Sequence, residues 1–134
     1  MMLVPVMGAV VLVTVVALVL FLWISLRVAT GRGKYGVAAP AMTGQPDFER
    51  MVRVQANTLE QLVPFLAGLW LCALFFDKWT AVILGVVWII GRLWYALSYW
   101  QDAKKRTPGF TIAFLATALL LLAAAVGGIR LMMM

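Results

Sequence analysis

The stretch LVPFLAGLWLCALFF, from Leu62 to Phe76, runs for fifteen residues without a charge. It belongs to one of four apolar blocks, at about 4–29, 49–76, 79–105 and 108–132. Crossing hydrocarbon takes roughly 20 apolar residues in a helix rising 1.5 Å each. Backbone groups in lipid must be satisfied within the segment, so blocks of this length predict helices. The first block, VMGAVVLVTVVALVLFLWISL, is rich in Val but far longer than a strand. A cleaved signal peptide is disfavoured there, since no Lys or Arg precedes the block and the run exceeds a signal core. Composition agrees: 65% of the 134 residues are hydrophobic and 12% charged, with a mean hydropathy of +1.02. An ordinary soluble domain is about 45–50% apolar. The expected fold is an all-α integral membrane protein: one domain over residues 1–134, a four-transmembrane-helix bundle with a long loop at 30–48.

The connections are unequal. DKW, between blocks two and three, predicts a tight turn and an antiparallel pair. Pro108 and Gly109 separate blocks three and four. The loop after block one is long for a bundle connection. Pro46 and Asp47, followed by FER, predict the start of helix two, with acids at the positive end of its dipole. The formal net charge of +6 is clustered: Arg27, Arg32, Lys34, Arg50 and Arg53 lie around the first loop, and Lys104, Lys105 and Arg106 at the third. The opposite side carries only Lys78 and Arg130. The positive-inside rule then makes the first and third loops cytoplasmic and puts both termini on the other side. No basic, aromatic-interleaved surface exists outside the apolar runs, so no nucleic-acid partner is expected. The chain has one cysteine, Cys72, and no histidine. That composition argues against an intrachain disulfide, a structural zinc site, and histidine-based triad chemistry; no metal is expected.

Polar residues break into two of the blocks. Arg53, Asn57 and Glu60 are spaced i, i+4, i+7 and share one helical face, with Gln55 on its flank. Arg92, Tyr95, Tyr99 and Arg106 repeat at 3.5 residues, and on one continuous helix Arg92 and Arg106 would stand about 21 Å apart along the axis. A charge at mid-bilayer costs at least about 2.5–3.5 kcal/mol. Arg and Glu can simply pair between helices, and Tyr and Trp can be interfacial belt residues. Three arginines against one glutamate leave a cationic surplus, however, which calls for an anionic partner. The guanidinium fork suits carboxylates.

These segments resemble a known family. FERMVRVQANTLEQLVPFL (Phe48 to Leu66) and RLWYALSYWQDAKKRTPGF (Arg92 to Phe110) are similar to the helix-two and helix-three signatures of MAPEG, the membrane-associated proteins in eicosanoid and glutathione metabolism. The spacing looks like its leukotriene C synthase and microsomal glutathione transferase branch, and the TGQPDFER approach to helix two is similar too. The resemblance implies a homotrimer binding glutathione between neighbouring subunits near the cytoplasmic face. It assigns Arg32, Arg53, Gln55, Asn57, Glu60, Arg92, Tyr95 and Tyr99 to glutathione, with Tyr95 and Tyr99 coming from the adjacent subunit. It places Arg106 at the thiol as the catalytic residue. Two positions depart from the pattern: Gln61 stands where that branch often has tyrosine, and Gly33 where some members carry a second basic residue.

The implied activity is that of a membrane glutathione S-transferase, with glutathione as co-substrate and a lipophilic electrophile drawn from membrane lipid. Reduction of lipid hydroperoxides would use the same thiolate. Two other readings compete: a small four-helix multidrug-type transporter built on an intramembrane glutamate, and a non-catalytic lipid-binding scaffold of the same family.

Overall fold

The computed structural model describes residues 3–134. It is all-helical: α1 (Leu3–Tyr35), α2 (Pro46–Phe75), α3 (Lys78–Gln101), a single 3₁₀ turn (Ala103–Lys105) and α4 (Thr107–Met132). Among the described residues, four helices are long and apolar enough to cross a membrane.

The boundaries follow from local chemistry. α1 continues past the expected end at residue 29, through Gly31 and Gly33, to Tyr35. At 33 residues it measures about 50 Å and outruns a hydrocarbon layer of about 30 Å. It stops at Gly36, whose φ of 68° is open to glycine without a Cβ penalty. The Val37 N–H then donates to the Arg32 carbonyl at 3.0 Å, closing the last turn in the Schellman manner. The loop to α2 is therefore shorter than expected, only residues 36–45. α2 opens on Pro46, with Asp47 and Glu49 in its first turn, where acids meet unpaired N–H groups. Arg50 forms an ion pair with Asp47 and donates from Nε to the Trp100 carbonyl at 3.1 Å, tying α2 to the end of α3.

The turn between α2 and α3 is tight, as DKW predicts. Asp77 accepts from the Thr80 N–H and the Thr80 hydroxyl, each at 2.7 Å. Those donors hold its carboxyl below the usual carboxylate range.

α3 ends four residues before its expected limit. Asp102 leaves the helix in an extended conformation (φ −156°, ψ 122°) and accepts from the Lys104 N–H at 3.0 Å, which starts the 3₁₀ turn. Arg106 therefore does not lie on α3. It immediately precedes α4, whose first turn holds Pro108.

The centre of the bundle is apolar. Val10, Val13 and Ala17 from α1 meet Leu62, Phe65 and Leu69 from α2, Trp88 from α3, and Ala113, Ala116 and Leu120 from α4. The rings of Phe65 and Trp88 lie 3.9 Å apart and nearly parallel. Between helices in lipid, packing and small residues replace water exclusion as the source of cohesion. The α3–α4 seam shows this most sharply. A Cβ on Gly109 would collide with the backbone N of Tyr95 and stand 2.7 Å from its Cα, and one on Gly91 would stand 2.9 Å from the Ala113 N. That close approach seats the first turn of α4 directly on Tyr95. The Trp70 indole N–H donates to the Thr14 hydroxyl at 3.1 Å, a polar link between α2 and α1.

Candidate functional site

The close α3–α4 seam carries the turn at Arg106 back toward α2, and a recess of about 310 Å³ opens there. Arg53, Ala56, Asn57 and Glu60 of α2 line one wall. Tyr95 and Tyr99 of α3 line a second, and Arg106, Thr107 and Phe110 complete it. The α2 wall is the i, i+3, i+4, i+7 stripe expected of one helical face, and Ala56 adds little bulk between its polar neighbours. On the α3 wall, Tyr95 and Tyr99 meet edge to face with centroids 5.5 Å apart. The Arg106 guanidinium lies 5.7 Å from the Tyr99 ring centroid, and its Nη1 donates to the Ala103 carbonyl at 2.9 Å.

The charges of the recess do not neutralise one another. Among the described residues the ion pair found is Arg50 with Asp47, neither of which lines the recess. Arg53, Arg106 and Glu60 thus face the recess without a charged partner. α2 also has Pro64 inside it. Proline lacks an N–H, so the Glu60 carbonyl loses its i+4 donor beside its own carboxylate.

Six of the nine residues expected at the site converge here: Arg53, Asn57, Glu60, Tyr95, Tyr99 and Arg106. Two details differ from expectation. Tyr95 and Tyr99 share the recess with Arg53 of the same chain, so this wall needs no neighbouring subunit to bring them in. Arg106 arrives by a turn, so the 21 Å helical separation from Arg92 does not apply. The helical stripe fails because Asp102 ends α3, and the 3₁₀ turn then folds the chain back over Tyr99.

The other three lie elsewhere. Arg92 is fully buried behind the recess, where α2 closes over α3. Its Nη1 donates to Asn57 Oδ1 at 3.0 Å and its Nη2 to Thr58 Oγ1 at 2.7 Å, with its guanidinium carbon 4.1 Å from the Tyr95 ring centroid. Arg32, near the end of α1, donates to the Ala41 carbonyl at 2.6 Å and lies over the Phe48 ring. Gln55 is half-buried on the flank of α2, outside the lining.

Three lining residues were not anticipated: Ala56, Thr107 and Phe110. Ala56 was legible from its i+3 spacing to Arg53. Thr107 and Phe110 were hidden because they follow Arg106 across a helix boundary that the 3.5-residue repeat obscured.

Chemically, the recess offers two guanidinium forks for carboxylates, a carboxylate for a cation, phenol and amide hydrogen-bonding groups, and an apolar edge at Phe110. Its size is at the lower end of small-molecule sites. Among the described residues, no group of three or more His, Cys, Asp or Glu side chains is placed to hold a metal ion.

Comparison with known proteins places this geometry in context. The model of the MAPEG family matches residues 10–126. An uncharacterized protein of Synechocystis is 50% identical over 113 residues, covering 84% of this chain and 82% of its own. Human microsomal glutathione S-transferase 2 is 41% identical over 105 residues, 78% of this chain and 71% of the human protein. Bovine leukotriene C4 synthase is 36% identical over 115 residues, 86% of this chain and 77% of the bovine one.

Proposed function

The chain belongs to the MAPEG family, and from that premise we propose that it is a membrane-bound glutathione S-transferase acting on lipophilic electrophiles. Glutathione carries two carboxylates, an ammonium and a thiol. The observation that supports this reading is the unneutralised set of Arg53, Arg106 and Glu60 around one recess. Arg53 takes a carboxylate and Glu60 the ammonium, while Asn57, Tyr95 and Tyr99 orient the peptide. The subunit works as a homotrimer, and Arg32 and Gln55, outside their own chain's recess, reach glutathione from a neighbouring subunit. The first and third loops face the cytoplasm and both termini lie on the opposite side.

Arg106 activates the sulfur. A free thiol of pKa about 8.5 is only a few per cent ionised at neutral pH, and the thiolate is the nucleophile. Lowering that pKa by two units takes roughly 2.7 kcal/mol of preferential stabilisation of the anion. One charge-assisted contact from the Arg106 guanidinium in a partly dry recess supplies most of it. The thiol proton leaves to water. The thiolate then forms a carbon–sulfur bond with an electrophile from the bilayer, expelling a halide or opening an epoxide whose oxygen takes up a proton. With a lipid hydroperoxide, two glutathiones give the disulfide, an alcohol and water.

A turnover screen tests the reading: detergent-purified protein with glutathione against an aryl halide, a lipid epoxide and a lipid hydroperoxide. Glutathione-dependent consumption of at least one is expected. No turnover of any, with no glutathione binding by calorimetry, overturns the proposal.

A further inference from the structure

Arg92 lines no part of the recess, yet it is 0% exposed and sits directly behind it. A buried cation is costly where no carboxylate compensates it, and an apolar side chain of similar size is often cheaper for the fold. Among the described residues, Arg92 has no carboxylate partner. It has two neutral oxygens instead, Asn57 Oδ1 at 3.0 Å and Thr58 Oγ1 at 2.7 Å, together with the face of Tyr95. Among the described residues its Nε has no hydrogen-bond partner. An arrangement so poorly compensated is weakly explained as a source of stability.

Its consequence for Asn57 is definite. Arginine has donors and no acceptor, so the pair is satisfied in only one orientation of the amide. Oδ1 must face Arg92, and Nδ2 is turned away from it. Asn57 itself lines the recess, so the side of the amide left for a ligand is the N–H₂ donor side. Without Arg92 the amide is free to flip and can offer either face.

We propose that Arg92 is a positioning residue acting through Asn57: it locks the amide donor-side outward, so that this point of the recess selects an acceptor oxygen on the ligand. The inference rests on the glutathione reading above, under which that acceptor is a carbonyl or carboxylate oxygen of the tripeptide.

The test is a double-mutant cycle read by calorimetric titration of glutathione into the full-length protein in detergent. Asn57→Ala is expected to raise the glutathione dissociation constant roughly tenfold, and Arg92→Met, which leaves the amide two orientations, at least about twofold. The double variant is expected to match Asn57→Ala alone, because coupled residues are non-additive. kcat at saturating glutathione should stay within about threefold for Arg92→Met, whereas a general loss of structure would lower kcat and affinity together. A double variant weakened by the product of the two single effects, about 20-fold or more, overturns the proposal.

Asn57→Asp supplies a second measure. Its carboxylate can pair with Arg92 and keep the fold, but it presents no donor. Affinity should fall roughly tenfold with the melting temperature unchanged or raised; unchanged affinity refutes the donor role. Should Arg92→Met not elute as a monodisperse species, the same cycle run with Arg92→Lys is judged by the same criterion. Wild-type protein that binds no glutathione overturns the functional reading and this inference with it. Binding with an additive cycle overturns this inference alone.

Discussion

The α2–α3 pair has two halves, each with a fully buried side chain at its centre, built on opposite terms. Toward the Asp77 turn, Phe65 stacks on Trp88, and Leu69 and Val13 crowd over Gly85. Toward Asp102, Arg92 reaches across to Asn57 and Thr58. Trp88 and Arg92 are each 0% exposed and four residues apart on one helix. The apolar half is held by many weak, non-directional contacts. The polar half is held by a few directional bonds, each costly to leave unmade. Burial therefore does not separate scaffold from site here. What separates them is charge: only the second half leaves charged groups, Arg53, Glu60 and Arg106, facing open space.

Four substitutions sharpen or break that contrast. The largest effect belongs to the apolar half: Trp88→Ala should cost about 3 kcal/mol of stability, seen as a lower melting temperature in detergent, while folded protein keeps its glutathione affinity. Loss of affinity at full occupancy of the folded state would mean that the halves are not separable.

Arg106→Ser should lower kcat about 100-fold, matching about 2.7 kcal/mol, and abolish the ultraviolet thiolate signal of bound glutathione with little change in melting temperature. Unchanged signal and turnover would remove Arg106 from the chemistry.

For Glu60→Gln the expected change is smaller, a glutathione KM raised roughly tenfold with kcat nearly retained, as for uniform binding. An unaltered KM would assign Glu60 to the scaffold.

The smallest effect is at the far turn. Asp77→Ala should cost about 1 kcal/mol and leave glutathione kinetics untouched. Because the folded carboxyl titrates below its ordinary 3.8, its charge-dependent contribution is present above that value and fades as pH falls through the folded pKa. The stability gap between wild type and variant should therefore narrow in acid; a gap that widens there contradicts the capping account.

Much of the architecture was legible in the residues themselves. Apolar length gives four helices, DKW gives the antiparallel α2–α3 pair, and the i, i+4, i+7 spacing puts Arg53, Asn57 and Glu60 on one face. The misread boundaries share one cause. A helix carries no mark in its periodicity for where it stops, and a single capping contact decides the end: Gly36 ends α1 after Tyr35, and Asp102 ends α3 ahead of Arg106. Both residue types carry boundary signals, but the apolar pattern stopped at residue 29, short of Gly36, and the 3.5-residue pattern ran through Asp102.

By itself, then, the sequence determined the elements, their pairing and the inventory of polar groups, because periodicity, charge and turn chemistry act over a few neighbouring residues. Which polar groups meet was decided in three dimensions. Arg92 falls behind the recess because α2 closes over it, and Arg106 reaches the recess because the chain turns out of α3 at Asp102 and two glycines, Gly91 and Gly109, let α4 close on α3. Contacts of that kind depend on the distance between two backbones far apart in the chain, which no local pattern of residues encodes.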